Sequence, residues 1–175
     1  MEALVTIQTP SVLPVIPVTT EPVEIRAASM RDIPALLTLI NDYAAKGIML
    51  PRTEFEMAEN IRDFVIALAG PHHVIACGAL HFYSPTVAEI RSLAVHPDWK
   101  RHGLGRQIVE SLEKEAVEHN LASLFAFTYV DGFFKKLGYD VVDRGELPLK
   151  AWKDCLRCPK FTACDEIAML KRLRR

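Results

Sequence analysis

The sequence predicts one mixed α/β domain, and three observations carry that prediction. Its 175 residues, 50% of them hydrophobic, suffice for one continuous core. Segments with the two-residue alternation of strands take turns with segments of helical spacing. Apolar runs in the first half are separated only by Gly70-Pro71 and Ser84-Pro85, the punctuation of consecutive hairpins.

VEIRAA, from Val23 to Ala28, alternates apolar and polar residues as a half-buried strand does. Ser29 with Asp32 resembles a capping box, with Asp in place of Glu or Gln. Ile33, Leu36, Leu37, Ile40 and Tyr43 then follow helical spacing, and Lys46-Gly47 provides a stop. Thr53 with Glu56 makes a second box, with Met57 and Ile61 on one face of the next helix. FVIALAG (Phe64 to Gly70) is apolar throughout and ends in Gly-Pro, which favours a strand over a continued helix. HVIACGALHFY (His73 to Tyr83) is its hairpin partner, and VAEIRSLAV (Val87 to Val95) a third strand.

His96-Pro97 ends that strand, and KRHGLG leads into a helix from Leu104 to about Asn120 with Ile108, Val109, Leu112 and Val117 on its apolar face. LASLFAFT (Leu121 to Thr128) is a buried strand. A short helix from Asp131 to Leu137 closes at Gly138, and YDVV (Tyr139 to Val142) is a strand. LPLKAWKDC begins like a short helix, and EIAML makes a last strand. No internal repeat or interdomain linker breaks the run, so residues 23–175 form one domain behind a floppy or loosely docked extension, residues 1–22.

Composition narrows the function. With 21 Lys+Arg against 22 Asp+Glu, the chain is not a generally basic nucleic-acid binder. No apolar run approaches the roughly 20 residues that cross a bilayer. The apolar start has no preceding Lys or Arg and is broken by Pro10, Pro14 and Pro17, which argues against a signal peptide and for a cytoplasmic protein.

The most informative segment is SLAVHPDWKRHGLGRQIV, Ser92 to Val109. A strand runs into a tight turn holding Gly103 and Gly105, and a helix follows at once. Glycines permit positive φ and close backbone approach, so successive N–H groups can converge on one point. That point lies at a helix N-terminus, where orphan donors and the dipole favour an anion. Lys100, Arg101, His102 and Arg106 add positive charge, and a pyrophosphate fits. The spacing lacks the Gly-Lys-Ser/Thr of kinase-type phosphate loops and the third glycine of a dinucleotide site.

KRHGLG resembles the Arg/Gln-x-x-Gly-x-Gly/Ala signature of the GCN5-related N-acetyltransferase (GNAT) superfamily, with Lys100 in place of Arg or Gln. IRSLAVHPDW and FFKKLGY resemble that superfamily's acetyl-CoA strand and closing helix-strand motif, so the likeness runs from Val23 to about Val142. The resemblance implies a mostly antiparallel central sheet flanked by helices, in which the Val87–Val95 and Leu121–Thr128 strands run parallel and splay apart. It implies acetyl-CoA as co-substrate, held by Leu93, Ala94 and Val95, by Arg101, His102, Gly103, Leu104, Gly105 and Arg106, and by Phe134. Pantetheine amides would pair with strand groups that the splay leaves open. Within the superfamily, LPRTEFEMAENIRDF, AEIRSLAVHPDWKRHGLG and LPLKAWKDCLRCPKFTACDEIAM resemble the short, single-domain amino-acid N-acetyltransferases of the N-acetylglutamate synthase type. Those begin arginine biosynthesis, and the short form implies no arginine allostery of the long-form kind.

Direct acetyl transfer within a ternary complex needs a neutral amine and a proton for the departing thiolate. Glu89 is the candidate base, acting directly or through water; alternatively it is a strand carboxylate paired with Arg91. The superfamily often supplies the acid from a Tyr where this chain has Phe133-Phe134, and Thr128 is the substitute, with Tyr129 second. Thr128 is otherwise a strand-end residue bonding its own backbone. A thiolate leaving group needs little help in any case.

An amino-acid substrate calls for cationic anchors, and Arg meets a carboxylate two-to-two. Arg52 is the first choice for the α-carboxylate because the family places an Arg at this helix start, and Arg91 is second. Lys150 and Lys153, then Lys160, are candidates for a side-chain carboxylate, each against plain solvation.

Cys155, Cys158 and Cys164 put three thiols within ten residues, but a structural zinc site wants four N/S ligands. Three reduced thiols on a tail over the substrate site is the favoured reading, and no metal is required. Other readings of the whole stay open: an acetyltransferase for glutamine, another small molecule or a peptide on the same fold, or an acetyl-CoA sensor without turnover. The expected partner is a small-molecule amino acid, with no nucleic acid and no membrane, and a homodimer is left open.

Overall fold

The computed structural model describes residues 22–147, 156, 158, 160 and 163–173. Seven strands form one sheet: β1 (Val23–Ala27), β2 (Phe64–Ala69), β3 (Val74–Ser84), β4 (Val87–Val95), β5 (Ser123–Thr128), β6 (Asp140–Val141) and β7 (Ile167–Arg172). They lie in the order β1-β2-β3-β4-β5-β7-β6. All neighbours are antiparallel except β4 and β5, which run parallel. Among the described residues four α-helices accompany the sheet: α1 (Ile33–Ala44), α2 (Glu54–Asn60), α3 (Leu104–Glu118) and α4 (Asp131–Lys135).

The local signals act where the sequence places them. Both capping boxes form, Ser29–Asp32 ahead of α1 and Thr53–Glu56 at the start of α2. Asp32 is buried, and Arg26 holds its carboxyl far below the usual carboxylate range through paired contacts of 2.8 and 2.9 Å, with Ser29 assisting. Two ends fall short of expectation. Asn120 turns left-handed at φ 57° and stops α3, and β5 begins only at Ser123 because the Leu121 N–H is spent on the Ala116 carbonyl. The helical start expected over LPLKAWKDC and the extension ahead of residue 22 lie outside the described residues.

β2 explains its unbroken apolar run by being buried on both faces. Val65, Ala67 and Ala69 join the core beneath α3, with Leu104, Ile108, Leu112 and Ala116. Phe64, Ile66 and Leu68 join the opposite core beneath α1 and α2, with Leu36, Ile40 and Met57. Glu89 and Arg91, opposite His81 and Ala79 in the register, stand on this second face.

Gly78, in the middle of β3, sets how closely α3 can approach. A Cβ built there would stand 2.7 Å from Ile108 Cγ2 and 3.2 Å from Leu112 Cδ1. Gly78→Ala is expected to destabilise the protein by about 1–3 kcal/mol, the usual cost of overpacking a filled core. Urea unfolding checks this as a lowered midpoint at constant slope; an unchanged midpoint would show that α3 yields freely.

Candidate active site

Three features meet around the C-terminal half of β4: a backbone loop, a gap in the sheet and a polar cluster. The loop comes first. β4 ends at Val95, a single 3-10 turn follows at Pro97–Trp99, and both Arg101 (φ 69°) and Gly103 (φ 77°) are left-handed before α3 begins. Gly103 caps α3 without any side-chain bond, and the first helix turn holds no acidic residue. The first intrahelical bond reaches back from Gln107 to Gly103, so the N–H groups of Leu104, Gly105 and Arg106 point out of the helix end. Lys100, Arg101, His102 and Arg106 are exposed around them. Arg106 bonds the Lys136 carbonyl at 3.4 Å and lies 3.7 Å from Glu110, which draws it toward α4. Backbone donors at a helix N-terminus inside a basic rim suit a pyrophosphate.

The gap lies beside this loop. β4 pairs β5 only from Val87–Ser123 to Glu89–Phe125. Beyond that rung no β4–β5 pair follows among the described residues, while β5 stays paired to β7 as far as Thr128. A bulge turns β4 aside at the same place. Ser92 has φ 52°, and Ser92 with Leu93 opposes Gly78 alone. Cys77 lies beneath the bulge with its thiol donating to the Ser92 carbonyl at 3.4 Å, and burial pushes that thiol up to about 12. It stays protonated.

Leu93, Ala94 and Val95 thus line an open strand edge. The Tyr43 hydroxyl donates to the Val95 carbonyl at 2.6 Å, tying α1 to the end of that edge. Phe133 and Val95 meet over Gly105, 3.5 and 3.6 Å from where its Cβ would stand. Phe134 is placed differently from the sequence expectation. It is 3% exposed and packs into the core against Tyr139, so Phe133 is the ring of the pair beside the loop.

The polar cluster sits at the last β4–β5 rung. Glu89 is 8% exposed and accepts a hydrogen bond from the Tyr83 hydroxyl at 2.9 Å. Arg91, two residues on and therefore on the same face, lies 3.3 Å from Asn60 Oδ1 and 3.7 Å from Asp63 Oδ2. The alternative pairing of Glu89 with Arg91 thus meets a competing partner in Asp63. His81, opposite Glu89 in the register, has Nδ1 2.7 Å from the same Asp63 oxygen. Arg52 stands at the mouth of α2. Asn41 clasps its backbone from α1, donating to the Arg52 carbonyl at 3.0 Å and accepting from its N–H at 2.9 Å.

Thr128 ends β5, 7% exposed, and accepts the Val130 N–H at 3.0 Å. This is the strand-end bond foreseen as its structural role, and the hydroxyl proton remains available for donation. Tyr129 donates to Asp165 at 2.9 Å, and Lys160 reaches both, at 3.1 Å from Tyr129 Oη and 3.3 Å from the carboxylate. The hydrogen bond from Tyr129 is the main cause holding Asp165 below the ordinary carboxylate range. Burial raises Tyr129. Lys150 and Lys153 lie outside the described residues, as does Cys155; Cys158 and Cys164 are free thiols.

Sequence reasoning missed Tyr83, His81, Asp63, Asn41 and Tyr43. His81 and Tyr83 carried a faint signal, polar residues two apart in an apolar strand. The partners of Asn41 and Tyr43 are set by contacts across 11 and 52 residues, which carry no local signature.

Residues 34–139 match the acetyltransferase (GNAT) family. The chain is 42% identical over 149 residues to an uncharacterized N-acetyltransferase of Chlorobaculum tepidum, covering 85% of this chain and 96% of that protein. It is 34% identical over 123 residues to the amino-acid acetyltransferase of Mycobacterium tuberculosis, covering 68% and 69%. Its fold matches a crystal structure of N-acetylglutamate synthase from Neisseria gonorrhoeae complexed with coenzyme A and N-acetyl-glutamate. There the TM-score is 0.79 at 26% identity, over 87% of this chain and 35% of that larger one.

Proposed function

Because the chain belongs to the GNAT family of acetyltransferases, we propose that it transfers the acetyl group of acetyl-CoA to the α-amine of a free amino acid, L-glutamate first. One observation carries the reading. Among the described residues the buried polar side chains are Asp32, Glu89 and Thr128. Asp32 is accounted for by Arg26 and Ser29. Glu89, which accepts from the Tyr83 hydroxyl, and Thr128 stand on the two strands that part, and a buried carboxylate beside such an opening is a candidate for proton chemistry.

The residues present suit acetyl-CoA. The Leu104–Arg106 N–H groups and the basic rim suit its pyrophosphate, and the open edge at Leu93–Val95 suits the pantetheine amides. Acetyl-CoA supplies an activated acyl carbon. Glu89 takes a proton from the acceptor's ammonium, directly or through one water, which frees the nitrogen lone pair. The amine then bonds to that carbon as the carbon–sulfur bond breaks, and the second proton that the nitrogen sheds on becoming an amide passes to the departing sulfur through the Thr128 hydroxyl or a water, which ends as it began. Arg52, its backbone held from both sides by Asn41, is the anchor for the acceptor's α-carboxylate. Arg91 is the weaker candidate, since it is 10% exposed and beside Asp63.

The relatives support an amino-acid acceptor: one is named amino-acid acetyltransferase, and the Neisseria synthase holds N-acetyl-glutamate. On this reading the chain belongs to amino-acid biosynthesis, at the step that opens the path to arginine. The test is thiol release from acetyl-CoA with a panel of single amino acids, glutamate, glutamine and their α-amides included. Release with glutamate and little with its α-amide is expected. Equal rates with the α-amide would replace the amino-acid reading with a generic amine acetyltransferase, and no release with any acceptor would point to a sensor.

A further inference from the structure

We propose that Tyr83 is the positioning residue of the Glu89 base, its hydroxyl fixing one orientation of the carboxylate and favouring its ionised form. The inference rests on Glu89 acting as the base, and the experiment below separates the two.

Glu89 is nearly buried, and a carboxylate removed from water tends to hold its proton. A base must do the opposite. Tyr83 Oη donates to Glu89 Oε2 at 2.9 Å, and a donor to the charged form offsets the desolvation. The Tyr83 ring is itself held, edge-on to His81 with centroids 5.1 Å apart and tilted against Phe125 at 5.5 Å. Its hydroxyl therefore has little freedom to follow the carboxylate elsewhere.

The placement depends on a bulge. Phe82 pairs with Ala88 and Ser84 with Val87, leaving Tyr83 as the extra residue of β3. A bulge re-aims a side chain at modest cost and is commonly found beside active sites. Without it, Phe82 would stand opposite Glu89.

The charged and titratable groups facing Glu89 come from several elements. His81 and Tyr83 lie on β3, Arg91 on β4, and Asp63 precedes β2 with Asn60 of α2 beside it. β5 contributes Phe125, an apolar wall. Asp63 lies 2.7 Å from His81 and 3.7 Å from Arg91, and Tyr83 is a neutral donor to Glu89.

The experiment compares Tyr83→Phe, Glu89→Gln and the double variant, using acetyl-CoA with L-glutamate, or with the fastest acceptor of the panel. Phenylalanine keeps the ring contacts and removes only the hydroxyl. The acidic limb of the kcat/KM profile should move up by about one pH unit, with about a tenfold loss below it, since a bond to a charged group is worth one to two pK units. Above the limb, activity should return to within a few-fold of the wild type, and KM for acetyl-CoA should not change. In the Glu89→Gln background the same change should have less than about a twofold effect. If Tyr83→Phe failed to fold, 3-fluorotyrosine at position 83, a stronger donor of similar shape, should move the limb down instead. An unmoved limb, or losses that simply multiply, would overturn the positioning role while leaving Glu89 as the base. Wild-type turnover in Glu89→Gln would overturn the base and Tyr83's role with it.

Discussion

Replacing Glu89 by glutamine is expected to lower kcat about a hundredfold or more at pH 7, with both Michaelis constants changing only a few-fold. General-base catalysis contributes on the order of 10²–10⁴, and a group that acts only on the proton in flight affects turnover rather than binding. Glutamine keeps the size of the side chain and can still accept the Tyr83 hydrogen bond through its amide oxygen, so the site stays packed. It cannot take the amine's proton. The sign with pH follows from the acceptor. As pH rises toward the amine's own pKa, more acceptor arrives already deprotonated, and the deficit of the variant should narrow between pH 7 and 9. Steady-state rates across that range check it. A constant deficit would mean that glutamine disturbs geometry, and wild-type rates throughout would remove Glu89 from the reaction.

The second large effect is expected at Arg52. Arg52→Ala should raise KM for glutamate roughly 30- to 150-fold and leave KM for acetyl-CoA nearly unchanged, the loss of a charge-assisted carboxylate contact costing about 2–3 kcal/mol. Asn41 holds the backbone of Arg52 through its main-chain groups, so truncating the side chain leaves both clasping bonds intact. The selective rise in one Michaelis constant therefore reports the side chain's contact with the acceptor. Isothermal titration with N-acetylglutamate gives the same answer without turnover. Equal rises in both constants would place Arg52 in the support of the site instead of on the acceptor.

The two predictions draw on different depths of the sequence. Arg52 and Glu89 could be picked out as candidates through the family resemblance, Arg52 at the start of the helix that the Thr53–Glu56 box opens and Glu89 on the strand before the glycine loop. The glycine loop was legible too, because positive φ and a free helix N-terminus are local demands that Gly103 meets within a few residues. Phe134 was not. Two adjacent rings on a five-residue helix must point to different sides, and only packing against Tyr139 decides which one is core.

The order and type of the elements lay within the sequence itself: caps, glycine and proline stops, and the two periods of hydrophobicity act over a few residues and need no distant partner. The burial of Glu89 and its hydrogen bond from Tyr83 were not legible there. Counting back from the Ser84–Val87 turn puts Phe82 opposite Glu89, and the bulge at Tyr83 shifts the register by one so that His81 stands there instead. In the same way, the parting of β4 from β5 is settled by the left-handed Ser92 opposite Gly78. It is also settled by Tyr43, which bonds the far end of the strand from 52 residues away. Such choices depend on how long-range contacts close the core on both faces of the sheet, and no local pattern of residues contains them.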